Sequence, residues 1–300
     1  MRFERLAILY EHPEWFRPLF AALRARSLDW EEWPAAGLVI DAGRRRMPDL
    51  VVNRMSASAS WRGHGAGQFA VAELLALLEA RGVEVVNGSA AYAIEISKIR
   101  QAAAFRRAGV RSPATVAVNA RELLPEAARS VGYPLFVKPN CGGAGHGVRR
   151  FASEAELVGA MAGLEAGVDH LFLVQAAAPA GELIRIEVLG GEVLYAVRVE
   201  RGEGQYGLCP ADSCGNGVRF APVQLPLALE REALAVARAA RLDLGGVECF
   251  VDARTGEAVF YDINALSNFV ANARELLGFC PTARLVDYLE RRLAAAPLPR

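Results

Sequence analysis

The sequence predicts an α/β fold in which a parallel, doubly wound unit precedes antiparallel hairpins. Three observations carry this. Short apolar runs alternate with helix-period segments over residues 1–95, a glycine-rich loop joins two short strands over residues 136–151, and two period-2 hairpins follow Gly181. Parallel strands need helical crossovers, whereas strands separated by a few turn residues pair antiparallel.

Leu6–Tyr10 opens as an apolar strand, and Trp15–Arg26 carries apolar residues at helical spacing. Leu38–Ile40 and Leu50–Asn53 read as further strands, Phe69–Arg81 as a helix closed by Gly82, and Val83–Asn87 as a strand ending in Asn-Gly. An α+β unit is expected over residues 96–177. Its elements are helix Ile96–Ala108 closed by Gly109, strand Thr115–Val118, helix Arg121–Val131 and strand Leu135–Lys138, then the glycine loop, strand Val148–Phe151, helix Glu154–Leu164 and strand Leu171–Gln175. Pro179-Ala180-Gly181 is a natural joint to a third unit over residues 178–300. That unit starts with hairpin Leu183–Leu189/Val193–Val199 and helix Leu227–Arg241, and ends with a second hairpin and helix Thr282–Ala294.

Composition narrows the function. Formal net charge is zero, so no overall field draws the chain to nucleic acid or anionic lipid. The most apolar helix, around Phe69–Leu78, is too short to cross a bilayer. Five cysteines without regular spacing and the lack of a signal-peptide h-region predict a reducing, cytoplasmic setting. Of 34 basic residues only Lys98 and Lys138 are lysines. An ammonium is a compact point charge that meets phosphate without the width of the guanidinium fork. Two lysines left in an arginine-rich chain are therefore candidate phosphate contacts.

The segment over residues 245–269, GGVECFVDARTGEAVFYDINALSNF, holds the sharpest pattern. A hairpin centred on Thr255 sets Glu248 opposite Asp262, with Asn264 on the same face and Val247, Cys249, Val251, Val259, Tyr261 and Ile263 on the core face. Directly opposed carboxylates destabilise a sheet unless a cation lies between them. Hard oxygen donors of this kind suit Mg²⁺ held jointly with nucleotide phosphates; the bland alternative is a solvated polar face. In FVKPNCGGAGHGVRRF, residues 136–151, a strand ends in Lys138 and Gly142, Gly143, Gly145 and Gly147 follow. Glycines let successive N–H groups turn toward one anion. The loop is neither a Walker A nor a dinucleotide fingerprint.

Taken in order, these segments resemble the ATP-grasp superfamily, in the branch of RimK-like glutamate ligases and LysX-like amino-group ligases. The resemblance runs through VVNRMSAS, EVVNGSAAYAIEISKIRQAAAFRRAGVRSPAT, YPLFVKPNCGGAGHGV, LFLVQ, GELIRIEVLGGEVLYAV and GGVECFVD…VFYDINALSNF, and so covers almost the whole chain. It implies an ATP-grasp fold preceded by a Rossmann-like domain, and an ADP-forming carboxylate–amine ligase acting through an acyl-phosphate. It implies that Lys98 and Lys138 contact ATP phosphates, that Gly142 to Gly147 close over them, and that Gln175 sits at the adenine. Arg185 would stabilise the transferring phosphoryl group, and Glu248, Asp262 and Asn264 would hold two Mg²⁺, or Mn²⁺ in their place. The sequence departs from the pattern at Ala176 and Leu183, where acids are usual; Glu182 is the nearest substitute for the ribose contact. The stretch 201–220, with Cys209 and Cys214, does not match the branch's usual loop and leaves the substrate open.

For the substrate side, Arg54 and Arg62 lie on the expected loop after a strand's C-terminal end, where α/β sheets collect ligands, and Arg219 and Asn268 could reach the same cleft. Partners are then a small carboxylate and an amine, amino acids or a peptide or carrier-protein terminus; a homo-oligomer stays open. Two rival readings share the ATP site: a small-molecule kinase and a non-catalytic ATP-binding regulatory protein.

Overall fold

The computed structural model describes residues 5–200 and 218–295. Three sheets organise it. The first is parallel, ordered β2-β1-β3-β4, from Leu6–Tyr10 (β1), Glu31–Pro34 (β2), Leu50–Arg54 (β3) and Glu84–Val86 (β4). Helices Arg17–Ala25 (α1), Gly65–Ala80 (α2) and Ser89–Glu95 (α3) belong to this part of the chain. Helix α2 packs Val71, Leu75 and Leu78 on the face carrying Ala7, Leu9 and Val51. Alternate residues Leu6, Ile8, Leu50 and Val52 go to the other face, under Leu19 and Leu23 of α1.

Next come Lys98–Ala108 (α4) and an antiparallel sheet ordered β5-β8-β6-β7: Thr115–Val118 (β5), Leu135–Pro139 (β6), Arg149–Phe151 (β7) and Phe172–Ala176 (β8). Leu124–Val131 (α5) and Glu154–Ala160 (α6) cover one face of it through Leu124, Ala128 and Leu157. The third sheet, β11-β10-β9-β12-β13, is antiparallel: Gly181–Leu189 (β9), Glu192–Glu200 (β10), Arg219–Pro222 (β11), Leu244–Asp252 (β12) and Ala258–Asn264 (β13). Helix α4 and Leu227–Ala239 (α7) bury Phe105, Ala233 and Val236 against Ile184, Ile186, Val247 and Phe260 on one face of this sheet. Its other face carries Arg185, Glu187 and Glu248. After Ala273–Leu277 (α8), Pro281–Ala295 (α9) lays Leu285, Val286 and Leu289 against the first sheet's Leu6, Ile8 and Leu50.

Several boundaries differ from the sequence expectation. Leu38–Ile40 forms no strand, and Val39 is exposed; the edge strand is Glu31–Pro34, whose only inward apolar side chain is Trp33, so a search for apolar runs passes over it. The helix expected from Ile96 starts at Lys98, because Ser97 is extended at φ −149° and ψ 105°. The β12/β13 hairpin keeps Glu248 opposite Asp262, but the register shifts between Glu248 and Cys249. Cys249 then faces Phe260, and Phe260 rather than Tyr261 enters the core, since one extra residue flips every later side chain. Cys209 and Cys214 lie outside the described residues.

Candidate active site

Adjacent strands β9, β12 and β13 set Arg185 beside Glu248 and Glu248 beside Asp262. Arg185 Nη1 donates to Glu248 Oε1 at 2.7 Å, and Asn264 Nδ2 donates to the same oxygen at 3.2 Å. Tyr261, turned to this face by the bulge, donates its hydroxyl to Glu248 Oε2. Asp262 is held from the other side, by Lys98 Nζ at 2.7 Å. The opposed carboxylates therefore sit between two cations, as their geometry requires. Burial and the neighbouring Asp262 push Glu248 up despite Arg185. For Asp262, burial is outweighed by Lys98 and Lys138, and the carboxyl falls below its ordinary value.

Lys98 begins α4 and is fixed there by Asn140, whose carbonyl accepts from the Lys98 backbone N–H at 3.1 Å and whose Oδ1 accepts from Ile99 at 2.9 Å. Asn140 lies at the base of the glycine loop, so loop and helix start are tied together. Lys138 lies one residue from the end of β6 and donates to Gln175 Oε1 at 2.8 Å across the β6/β8 pair. Burial, then the like charge of Lys98, lower Lys138 to about 7.

The glycine loop rests on the N-terminal unit. His146 stacks on Trp61 at 5.5 Å, and Gly142 and Gly143 approach Trp61 and Ser58. Gly145 and Gly147 have positive φ; a Cβ on Gly147 would also come 2.8 Å from the Pro139 ring. Beneath this loop a small cleft of about 60 Å³ is lined by Lys98, Arg185, Asn264, Gly142, Gly143 and Asn268. Trp15 and Asn268 also line a neighbouring cavity of about 830 Å³, walled by Phe16, Arg54, Phe269 and Leu285.

The comparisons bear on this arrangement. No family model matches the chain. A D-alanine–D-alanine ligase of Chlorobium luteolum is 29% identical over 181 residues, 56% of this chain and 50% of that protein. The carbamoyl phosphate synthase large chain of Thermus thermophilus is 29% identical over 226 residues, 71% of this chain and 21% of that protein. The chain thus spans about half or less of these curated relatives. Among solved structures, the ATP-grasp ligase PsnB with a minimal precursor aligns at TM-score 0.70 and 18% identity, covering 97% of this chain and 100% of that one. A RimK-domain ATP-grasp protein from Sphaerobacter thermophilus aligns at TM-score 0.67 and 19% identity, covering 95% and 98%. The chain has the ATP-grasp fold.

Within the ATP-grasp fold, Lys98, Gly142, Gly143, Arg185, Asn264 and Asn268 line one cleft; Glu248 and Asp262 are bonded to its Arg185 and Lys98, and Lys138, bonded to Gln175, is near enough to act on Asp262. Other candidates are placed differently. Glu182 is exposed on β9 and pairs with Arg198 at 3.3 Å. Arg219 is exposed on edge strand β11, opposite Glu200. Arg62 is held by both oxygens of Glu11 and lies 4.8 Å over the Trp15 ring. Arg54 lines the large cavity but is buried, donating to the Ser267 carbonyl; burial lowers it to about 10. Residues that the sequence reading missed complete the site. Glu187 and Ser267 brace Arg185, Tyr261 braces Glu248, Asn140 anchors Lys98, and buried Glu95 accepts from the Ala265 and Leu266 amides at 2.6 and 3.2 Å, fixing the loop after β13. Glu187 was findable, being two residues from Arg185 and so on the same strand face.

The donor set fits a nucleotide-held cation. Among the described residues no three His, Cys, Asp or Glu side chains form a self-sufficient metal cluster. Two carboxylates and an amide oxygen instead leave coordination positions for phosphate oxygens, the pattern of Mg²⁺ at nucleotide sites. No helix among the described residues is long and apolar enough to cross a membrane.

Proposed function

We propose that the chain is an ATP-dependent, ADP-forming carboxylate–amine ligase of the RimK-like type, working through an acyl-phosphate. One observation supports this above others: Lys98, Arg185 and Asn264 line one cleft, and the opposed carboxylates Glu248 and Asp262 are bonded to its arginine and lysine with Lys138 close behind. The D-alanine–D-alanine ligases among its relatives, and PsnB solved with Mg, ADP and a minimal precursor, support the same reading.

Glu248, Asp262 and Asn264 would hold two Mg²⁺ ions, or Mn²⁺, and the bound metal would neutralise nucleotide charge and polarise the transferring phosphoryl group. The rest is done by the chain's own groups. Lys98 and Lys138 bind nucleotide phosphates under the loop Gly142 to Gly147, and Gln175 lies at the adenine end. Arg185 meets the charge on the phosphoryl oxygens as a carboxylate oxygen attacks, and such fixed charges in a dry site are commonly the largest catalytic contribution. The acyl-phosphate then loses phosphate to an amine. The cavity walled by Trp15, Phe16, Arg54 and Asn268 holds acid and amine, as free amino acids or as a peptide or carrier-protein terminus. On this reading residues 1–95 serve the substrate side, 96–177 the nucleotide lid and 178–300 the metal face, in a cytoplasmic enzyme.

The test is ADP and phosphate release with ATP and Mg²⁺ across paired acids and amines. ADP formation that requires both partners, with stoichiometric phosphate, is expected. Turnover with one partner and no free phosphate would make the protein a kinase, and no turnover with any pair despite nucleotide binding would make it a non-catalytic binder.

A further inference from the structure

Arg185 uses all three guanidinium nitrogens, and only one of its partners belongs to the metal-binding set. Nη1 donates to Glu248 Oε1 at 2.7 Å, Nε to Glu187 Oε1 at 2.7 Å and Nη2 to Ser267 Oγ at 2.7 Å. Ser267 Oγ in turn donates to Glu187 Oε1 at 2.5 Å, so arginine, glutamate and serine close a triangle along the Nε–Nη2 edge. We propose that Glu187, acting with Ser267, is a positioning residue that keeps Arg185 aimed at the transferring phosphoryl group once Glu248 is committed to the cation. The proposal rests on the ligase reading above.

Glu248 faces a conflict of demands, because an oxygen that ligates a cation cannot also give Arg185 its full pairing. If Glu248 were the only carboxylate on Arg185, each Mg²⁺·nucleotide bound would loosen the guanidinium at the moment it is needed. Glu187 removes that conflict. A planar guanidinium held at Nε and Nη2 keeps its plane and direction while Nη1 is released. The surroundings fit such an anchor. Glu187 is fully buried, and its Oε2 has no hydrogen-bond partner among the described residues. Buried ion pairs of this kind are weak contributors to stability and can often be replaced by apolar groups without loss, so a carboxylate placed here is better explained by what it orients. Gly246, opposite Glu187 on β12, leaves the space: a Cβ there would lie 2.9 Å from both Arg185 Nη2 and Glu187 Oε1. Arg54 donates to the Ser267 carbonyl and fixes the serine from the cavity side.

Glu187→Gln keeps the side-chain shape and an oxygen for Nε but removes the charge, leaving Arg185 to compete with Mg²⁺ for Glu248. Calorimetry with Mg²⁺ and a non-hydrolysable ATP analogue, beside steady-state kinetics, reads the effect. Affinity for the Mg²⁺·nucleotide should fall about tenfold and kcat about 100-fold, with the substrate KM within about threefold of wild type. Ser267→Ala should shift both in the same direction by a smaller factor, and it decides the matter if the glutamine variant does not fold. Folded variants whose Mg²⁺·nucleotide affinity and kcat both stay within about twofold of wild type overturn the anchor. So does a pure loss of folding stability with both quantities unchanged per folded molecule. A wild-type protein that takes up no Mg²⁺·nucleotide overturns the ligase reading itself, an outcome distinct from unchanged variants of a working enzyme.

Discussion

Gly246→Ala places a single methyl group against Arg185, proposed above to meet the phosphoryl group, and gives a prediction whose size can be worked out. The new carbon would stand 2.9 Å from Arg185 Nη2, 2.9 Å from Glu187 Oε1 and 3.1 Å from Arg185 Cζ. Non-bonded heavy atoms settle at about 3.5–4.0 Å, so the guanidinium must retreat by roughly 0.5–1 Å. Overpacking of this kind costs about 1–3 kcal/mol, while replacing a glycine inside a strand by alanine returns about 0.5–1 kcal/mol. The net loss of stability is then about 0–2.5 kcal/mol, small enough for a folded protein. Activity should suffer more, because a displacement near 1 Å at a reacting centre can cost about 100-fold in rate. Urea denaturation and the ADP-release assay read the two effects separately; the expected outcome is a modest shift in midpoint with kcat down about 10- to 100-fold. Gly159→Ala on α6 is the control, since its methyl would meet nothing within 4 Å. That control should gain up to about 1 kcal/mol with activity unchanged. A Gly246→Ala enzyme with wild-type kcat would refute the claim that Arg185 is held to sub-ångström tolerance.

Lys138 titrates near 7 in the nucleotide-free protein, so phosphate binding above that pH should take up about one proton, measurable by calorimetry in buffers of different ionisation enthalpy; Lys138→Met should abolish the uptake. Because its folded value lies below the ordinary 10.5, the unfolded chain binds this proton more readily between about 7 and 10.5, and Lys138 lends stability that grows as pH rises through that window. Asp262→Asn leaves Lys98 without its carboxylate and removes a hard oxygen charge; Mg²⁺·nucleotide affinity should drop more than about tenfold, and stability by about 2 kcal/mol, less than a fully buried orphan because Glu248 loses a like charge. Gly147→Ala must hold a side chain at φ +69° against Pro139; the ATP KM should rise about tenfold or more while the acid and amine KM values hold, and equal changes in all three would refute a role confined to the loop.

The site's legibility in the sequence followed the range of the interactions that build it. Glu248, Asp262 and Asn264 could be aligned because a short turn sets the pairing of β12 with β13. The bulge that brings Tyr261 over Glu248 could not, since nothing in VFYDIN distinguishes one extra residue from regular alternation. Lys98 and Lys138 stood out through the scarcity of lysine, through Lys138's place before the glycine loop and through the family resemblance. The pairing of β9 with β12, which sets Arg185 opposite Glu248, joins segments some sixty residues apart and leaves no periodic trace. Arg54 shows a different limit, because it lines the large cavity while its guanidinium is not open to it. Its place at a strand end argued for an open, ligand-facing guanidinium, whereas the loop after β13 folds back and buries it against Ser267. Helices α1, α4, α7 and α9 and the central strands were read nearly to their ends, but α2 starts at Gly65 rather than Phe69 and α3, Ser89–Glu95, was not read. The polar edge strand Glu31–Pro34 was missed because its pairing, not its composition, makes it a strand.

The docking of α9 on the first sheet has a consequence for how the molecule is made. Strands β1 and β3 are made before α9, yet Leu285, Val286 and Leu289 of α9 share with α1 the cover over Leu6, Ile8 and Leu50. A nascent chain must therefore carry a sticky, partly covered sheet past the ribosome until α9 has been translated, the circumstance in which newly made chains depend on chaperones.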